Sequence, residues 1–190
     1  MTDVLFVCTG NLCRSPSAAW FFRQLLDRRG PEGVTVESSG VLGSTNDPPK
    51  RLIREGAAFG LDLKDHVPSK ITLPEITRAD LIIGMAREHV REVVLADTPA
   101  FAKTFTLREI VRRGRESGPR RDEESLTDWL GRIGSGRRHL DLIGDSSSDD
   151  TPDPMGGFSE DFRRMLQELD ELTRVLHGLI WPANQAERAG

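Results

Sequence analysis

The feature that most constrains this chain is an apolar run near its start that leads directly into a tight loop and then a helix. The run covers residues 4–7 and reads V-L-F-V, and the residues after it read C-T-G-N-L-C-R-S-P. A short apolar run of this kind indicates a buried strand, while serine followed by proline favours a helix start. We therefore predict a strand that ends at Cys8, then a loop, then a helix with Ser15 as its N-cap and Pro16 as its first residue.

The rest of the chain repeats this alternation of strand and helix. Strands are predicted near residues 3–8, 34–38, 80–85 and 103–106, and helices near 16–29, 49–59, 86–96, 107–113 and 158–180. Apolar strands separated by helices favour a parallel sheet that is covered on both faces. The predicted fold is α/β, a single domain over residues 1–190 built as a three-layer sandwich around a four-stranded parallel sheet. Ligands of such sheets bind beyond the carboxyl ends of the strands, where Cys8 is expected.

The loop after Cys8 has the composition of an anion-binding site. Successive backbone N–H groups in such a loop form a concave nest, and the positive end of the next helix reinforces it. Gly10 and Asn11 are residue types that readily adopt a left-handed backbone. The predicted phosphate-binding residues are Thr9, Gly10, Asn11, Leu12, Cys13, Arg14 and Ser15.

Cys8 and Arg14 have the side chains that phosphoryl transfer requires. A thiolate attacks phosphorus and a thiol does not, and the nest, the helix dipole and the charge of Arg14 all favour the anionic sulfur. Arg14 can direct two parallel hydrogen bonds at phosphoryl oxygens. Ser15 is expected to donate its hydroxyl to the sulfur when the sulfur leaves. The alternative is a buried structural cysteine, which is common in proteins but does not explain the combination of glycine, arginine and helix start.

This loop resembles the phosphate loop of the low-molecular-weight protein tyrosine phosphatases. That family carries a second signature, an Asp-Pro pair followed by aromatic or glycine residues, and here D-P-M-G-G begins at Asp153. Residues 36–40 and 79–85 are similar to its second and third strands, whereas residues 114–145 are the part least accounted for. The resemblance implies hydrolysis of protein phosphotyrosine or another aryl phosphate through a cysteinyl-phosphate on Cys8.

Asp153 is predicted to be the general acid of this reaction. A phenolate leaves poorly unless it is protonated, and a positioned carboxyl group can supply the proton and then remove one from water. Asp47, Asp149 and Asp150 compete for the role, although each can also be interpreted as a solvated loop acid. The Asp-Pro-x-Gly context favours Asp153, so Cys8, Arg14 and Asp153 are the predicted catalytic residues.

Cys13 has two possible roles that the sequence leaves open. It either packs the loop or acts as a resolving thiol, the redox partner that forms a disulfide with Cys8 and prevents irreversible oxidation. The family resemblance supports the second role, while the disulfide requires a geometry that the sequence does not show.

The departures from the family concern the substrate. The chain has no tyrosine, so Met155 and Gly156 stand where aromatic residues often follow the Asp-Pro pair. Protein arginine phosphatases carry a hydroxyl residue at the position of Leu12, which here offers an apolar wall suited to a phenyl ring. An arginine phosphatase, an arsenate reductase that uses an external thiol and a non-enzymatic phosphate-binding module are the alternatives.

Composition and charge limit which classes of partner and which cellular compartment we expect. The net charge of −4 argues against nucleic acid or an anionic membrane, and no run of 18 apolar residues occurs. Two cysteines in this setting favour a reducing compartment, so we expect a cytoplasmic protein, with a monomer favoured. No cofactor or metal is expected, because transfer to cysteine and then to water needs none. The histidines lack metal-ligand spacing and are assigned to surface or packing: His66, His89, His139 and His177.

Residues 114–145 combine charged stretches with glycine and serine. Arginines in this part of the chain are followed closely by acidic residues, so the charges nearly cancel. We expect a solvated, partly disordered insertion, and the alternative is a basic rim or flap beside the active site.

Overall fold

Four parallel strands form one sheet with the order β2-β1-β3-β4 in this computed structural model, which describes residues 1–146 and 148–182. The strands are β1 (Thr2–Cys8), β2 (Val34–Gly40), β3 (Leu81–Gly84) and β4 (Thr104–Thr106). The helices are α1 (Arg14–Arg29), α2 (Lys50–Gly56), α3 (Leu73–Arg78), α4 (Arg87–Ala96), α5 (Leu107–Ser117), α6 (Leu126–Ile133) and α7 (Ser159–Ile180). Short 3₁₀ helices occupy residues 57–59, 98–103 and 139–142.

The central position of β1 fixes where the site lies. β1 pairs with β2 on one side and β3 on the other, so that Cys8 stands opposite Gly40 and Val7 opposite Gly84. Parallel pairing brings the carboxyl ends of these strands to the same edge of the sheet. The predicted α/β fold with a four-stranded parallel sheet is confirmed.

Both faces of the sheet are covered by helices because alternate residues of each strand point to opposite sides. Phe6 belongs to the larger apolar cluster, which contains residues of α1, α2, α5, α6 and α7. Leu5 and Val7 belong to a second cluster with Ile76 of α3 and Val93 of α4. The sheet is therefore the middle layer of three, as its apolar strands predict.

Helix α1 begins earlier than the sequence suggests. Its first residue is Arg14 and its N-cap is Cys13, with no side-chain cap, so the prediction of Ser15 as the N-cap was wrong. The hydroxyl of Ser15 instead contacts Cys8 and Asn11, which leaves it unable to cap. Pro16 is tolerated inside the first turn, since the N–H groups there have no partner within the helix.

The segment predicted to be a solvated insertion contains a packed helix. Trp129 of α6 is fully buried and donates from Nε1 to the carbonyl of Gly118 at 3.2 Å. Beyond α6, the guanidinium of Arg137 lies 3.8 Å from the centre of the Phe105 ring and pairs with Glu109 at 2.8 Å. The expectation of solvation was wrong here because apolar residues at helical spacing bury α6, and the nearby charges neutralise one another in pairs.

Candidate active site

The loop that follows β1 presents unpaired backbone donors. Within the described chain, the N–H groups of residues 10–13 donate to no protein acceptor. Asn11 has a φ of 57° and is the one non-glycine residue with a positive φ among those described. Gly10 does not adopt the left-handed conformation, so that part of the prediction was wrong and Asn11 alone makes this turn. Free N–H groups on consecutive residues are what an anion nest requires.

The side chain of Asn11 ties this loop to three other segments. Its Oδ1 accepts from the N–H of Ser69 at 3.0 Å, which fixes the orientation of the amide. Its Nδ2 therefore donates, to Ser38 Oγ and to Ser15 Oγ, each at 3.0 Å. The carbonyl of Asn11 accepts from Nε2 of His66 at 2.7 Å. Asn11 is fully buried, and these bonds hold its left-handed backbone in place.

Ser15 is positioned to donate to the sulfur of Cys8. The two atoms, Ser15 Oγ and Cys8 Sγ, are 2.9 Å apart. Because Asn11 already donates to this hydroxyl oxygen, its hydrogen is free for the sulfur, with the more distant carbonyl of Ser39 at 3.4 Å as the other acceptor. A hydroxyl in this position stabilises a thiolate, both before attack and as a leaving group.

Gly40 packs against the backbone of the phosphate loop, a role that was not predicted from the sequence. A Cβ atom on Gly40 would lie 2.7 Å from the carbonyl oxygen of Thr9 and 2.8 Å from the nitrogen of Asn11. Both are backbone atoms, which cannot move without changing the loop. The sequence signal is a glycine at the end of a strand, which often marks close backbone approach.

Arg14 is almost fully buried at the base of the site. Its Nη1 donates to the carbonyl of Thr151 at 3.3 Å, and its Nη2 donates to Thr9 Oγ1 at 3.2 Å and to Asp153 Oδ2 at 2.5 Å. Three acceptors therefore fix the plane of the guanidinium. This planar arrangement is what a bidentate interaction with two phosphoryl oxygens requires.

Asp153 lies on a loop that is anchored to the sheet. The N–H of Thr151 donates to the carbonyl of Met85, and the N–H of Met85 donates to the carbonyl of Val7 in β1. Asp153 itself accepts from the N–H of Met155 at 3.0 Å, and its side chain is 42% exposed. The carboxyl group is thus held beside Arg14 while one side of it stays open to solvent.

The three competing aspartates have other surroundings. Asp149 pairs with Arg112 at 3.1 Å, and Asp47 is exposed in the loop before α2. Asp150 accepts from the N–H of Arg87 at 2.7 Å and from the N–H of Ser146 at 2.8 Å, so it closes its own loop onto α4. None of the three contacts Arg14 in the described structure.

Cys13 is buried next to the site as a free thiol. Its sulfur lies 3.5 Å from the sulfur of Met155. Burial, together with negative charge on Cys8 and Asp153, raises the pKa of Cys13 to about 12. Cys13 therefore remains protonated at neutral pH, unlike a nucleophile.

These residues enclose a small cleft at the carboxyl edge of the sheet. Its volume is about 190 Å³, and it is lined by Cys8, Thr9, Gly10, Leu12, Cys13, Arg14, Asp153 and Met155. Leu12 and Met155 supply apolar surface, and the side of Met155 that faces outward is exposed. The cleft therefore combines the charged side chains of Arg14 and Asp153 with apolar surface from Leu12 and Met155.

Two of the histidines assigned to surface or packing contact the phosphate loop instead. His66 donates to Asn11, as described above, and His89 is fully buried with Nε2 3.0 Å from Thr9 Oγ1. These contacts span 55 and 80 residues along the chain, so no local sequence pattern signals them. Among the described residues, no group of three or more His, Cys, Asp or Glu side chains could hold a metal ion.

The fold is α/β and its central strand ends at a cysteine that begins the loop to α1, and comparison with known proteins identifies the family. The family model for low molecular weight phosphotyrosine protein phosphatase matches residues 3–118. The chain belongs to this family, whose members are cysteine-dependent phosphatases.

Individual relatives include proteins named for two different substrates. The chain is 30% identical to the protein-arginine-phosphatase of Bacillus subtilis over 92% of its own length and 93% of that protein. It is 36% identical to the low molecular weight protein-tyrosine-phosphatase Etp of Escherichia coli, over 54% of this chain and 67% of that one. The crystal structure of a YwlE mutant from Bacillus subtilis superposes with a TM-score of 0.68, at 27% identity over 93% of this chain and 97% of that chain.

Among the helices of residues 1–146 and 148–182, none combines the length and the hydropathy that a membrane span requires.

Proposed function

We propose that this phosphatase hydrolyses phosphotyrosine in proteins, or a related aryl phosphate, through a phosphocysteine at Cys8. The observation that carries the proposal is the convergence of Cys8, Arg14 and Asp153 on one cleft of about 190 Å³. Each of them supplies a different part of the chemistry: nucleophile, anion binding and proton transfer. No metal or other cofactor takes part in this scheme.

In the first step, the thiolate of Cys8 attacks phosphorus and the bond from phosphorus to the phenolic oxygen breaks. The free N–H groups of residues 10–13 and the guanidinium of Arg14 bind the equatorial oxygens as charge develops on them. Once the phosphoryl group has replaced Asp153 at Arg14, Asp153 in its carboxylic acid form gives a proton to the departing oxygen, so the product is a neutral phenol. The products of this step are the phenol and a phosphoryl group on the Cys8 sulfur.

In the second step, water replaces the sulfur. Asp153, now a carboxylate, takes a proton from the water while the water oxygen bonds to phosphorus. The bond from sulfur to phosphorus breaks, and the hydroxyl of Ser15, 2.9 Å from the sulfur, stabilises the thiolate that leaves. Inorganic phosphate is released and the thiolate is restored.

The apolar part of the cleft supports an aryl substrate. Leu12 lines the cleft with a branched aliphatic side chain, and Met155 offers a flexible apolar surface beside it. The second candidate substrate is phosphoarginine, because one relative that matches over 92% of this chain is a protein-arginine-phosphatase. Leu12 argues against that substrate, since it has no hydroxyl to help position attack on a phosphoguanidinium group.

Turnover of phenyl phosphate, phosphotyrosine peptide, phosphoarginine and arsenate tests the proposal. We expect the aryl phosphates to have the highest kcat/KM, and Leu12→Thr to lower kcat/KM for phosphotyrosine peptide relative to phosphoarginine. Preference of the parent protein for phosphoarginine, or reduction of arsenate with an added thiol, would assign the site to one of the other activities.

We further propose that residues 1–190 act as one phosphatase domain, as a monomer in the cytoplasm. The free thiols of Cys8 and Cys13 support a reducing compartment, and the net charge of −4 is unsuited to nucleic acid or an anionic membrane as partner.

A further inference from the structure

His89 is a fully buried histidine that the mechanism above does not use. It lies in the first turn of α4, where its Nδ1 accepts from the backbone N–H of Ala86 at 2.9 Å. A backbone N–H can only donate, so Nδ1 carries no hydrogen and the ring proton is on Nε2. The tautomer of His89 is therefore fixed by the start of the helix.

The proton on Nε2 is directed at Thr9 in the phosphate loop. Thr9 Oγ1 lies 3.0 Å from Nε2 in hydrogen-bonding geometry. Glu88 Oε1 is 3.2 Å from the same nitrogen, but it makes no hydrogen bond with it. Burial and the nearby positive charge of Arg14 lower the pKa of His89 to about 3, so the ring stays neutral at the pH of ordinary assays.

Thr9 receives a second donor at the same oxygen. Nη2 of Arg14 lies 3.2 Å from Thr9 Oγ1 and donates to it. A hydroxyl oxygen has two lone pairs, and donation from His89 and Arg14 uses both. The hydrogen of Thr9 must then point in a third direction, and Thr9 lines the cleft where the phosphoryl group would bind.

We propose that His89 is a positioning residue that acts through Thr9. It orients the Thr9 hydroxyl so that one lone pair accepts from Arg14 and the hydrogen is donated to the bound phosphoryl group. This inference rests on the proposed function, because the group that accepts this hydrogen is the phosphoryl group of the substrate.

Two substitutions of His89 separate its two hydrogen bonds. His89→Asn retains an acceptor near the Nδ1 position for the N–H of Ala86 and removes the donor to Thr9. His89→Gln retains a donor near the Nε2 position and removes the acceptor. We expect His89→Asn to lower kcat for an aryl phosphate by about tenfold or more with a smaller change in KM, as for loss of a hydrogen bond to a charged group.

His89→Gln is expected to keep kcat within about threefold of the parent while lowering the thermal midpoint more than His89→Asn does. Activity and stability would then rank the two variants in opposite orders, which a purely structural role does not produce. Equal losses of kcat in both variants, or an Asn variant with parental kcat, would overturn the proposal.

A double-mutant cycle with Thr9→Val tests whether His89 acts through Thr9. We expect Thr9→Val/His89→Asn to resemble Thr9→Val alone within about twofold, because the His89 bond has no remaining target. Multiplicative losses in the double variant would overturn the proposal.

Two further measurements do not depend on turnover, and the second of them uses only the parent protein. Affinity for vanadate, determined for the same variants, should follow the same cycle. If the parent fails to hydrolyse aryl phosphate, the proposed function is wrong, but the vanadate affinities still test this inference. In the parent protein, ¹⁵N NMR should show the Nε2–H tautomer of His89 from about pH 5 to about pH 8, the range in which an ordinary histidine changes its charge. An Nδ1–H tautomer would overturn the inference.

Discussion

The guanidinium of Arg14 and the carboxyl group of Asp153 form an ion pair, with Nη2 and Oδ2 2.5 Å apart. Arg14 is nearly buried, whereas the side chain of Asp153 is 42% exposed, so Asp153 is the partner that can move. A phosphate dianion that binds Arg14 must compete with this carboxylate for Nη2. The two groups to which we assign anion binding and proton transfer are therefore linked before substrate arrives.

The ion pair predicts opposite effects of Asp153→Asn on binding and on catalysis. Inorganic phosphate should inhibit the variant at several-fold lower concentration, because the competing negative charge is gone. The kcat for phenyl phosphate should fall by about a hundredfold or more, and much less for nitrophenyl phosphate, since a good leaving group needs little protonation. Inhibition constants and the dependence of kcat on leaving-group pKa provide the measurements.

Asp149→Asn is the matched control for this variant. Asp149 is paired with Arg112, away from Arg14, so its loss should leave both the phosphate inhibition and the leaving-group dependence near parental values. A leaving-group-dependent loss in Asp149→Asn, or none in Asp153→Asn, would mean that Asp153 is not the general acid.

Gly40→Ala should disrupt the phosphate loop without touching the cleft directly. The new Cβ would meet the backbone of residues 9–11 at 2.7–2.9 Å, which forces the loop to shift. We expect kcat/KM to fall by roughly tenfold or more, as for misplacement of reacting groups, together with a lower thermal midpoint. Steady-state kinetics and thermal unfolding measure the two effects.

Gly178→Ala in α7 is the control, because nothing lies within 4 Å of the position where its Cβ would be. Alanine in an exposed helix interior should raise stability by up to about 1 kcal/mol and leave kinetics unchanged. Parental kinetics in Gly40→Ala would show that the close approach of β2 does not shape the loop.

The sequence could predict the parts of this fold that depend on local pattern. The apolar run of β1 and the helical stripe of α7 are continuous along the chain, so both were found close to their observed bounds. Helix α3 was missed because it has six residues, too few for a periodic pattern. A local signal was nevertheless present, since Thr72 and Glu75 form a capping box at its start.

The burial of α6 and the contacts of the histidines could not be found in this way. The indole ring of Trp129 packs closely against Gly114, and a Cβ atom on Gly114 would lie 3.2 Å from the ring. His89 reaches Thr9 across 80 residues of sequence. Such contacts depend on how the elements pack together. The residue types of α6 alone were compatible with a solvated segment, and those of the histidines were compatible with ordinary core packing.

The raised pKa of Cys13 predicts selective alkylation within the loop. A thiol with a pKa of about 12 is protonated at pH 7, and thiolates are the species that react with iodoacetamide. Carbamidomethylation at pH 7 should therefore modify Cys8 and inactivate the enzyme, and Cys13 should react appreciably only as the pH approaches 12. Peptide mass spectrometry distinguishes the two sites, and comparable labelling of both at pH 7 would contradict the assignment.

The redox role of Cys13 is a separate prediction. Mild peroxide should inactivate the parent enzyme reversibly, with activity restored by added thiol. Oxidation of Cys8 removes one of the negative charges that raise the pKa of Cys13, so Cys13 can then capture the oxidised sulfur as a disulfide. Cys13→Ser should recover a smaller share of its activity after the same treatment. Equal recovery in both proteins would limit Cys13 to packing against Met155.

A rapid quench of the reaction shows whether Cys8 carries the phosphoryl group during turnover. The parent enzyme is mixed with excess phenyl phosphate, quenched within the first turnovers and digested, and the peptide that contains residues 8–14 is analysed by mass spectrometry. We expect one added phosphoryl group on the Cys8 sulfur, and the same group on Cys8 in a Cys13→Ala control. A phosphoryl group on another residue, or steady turnover of substrate by Cys8→Ser, would contradict this expectation.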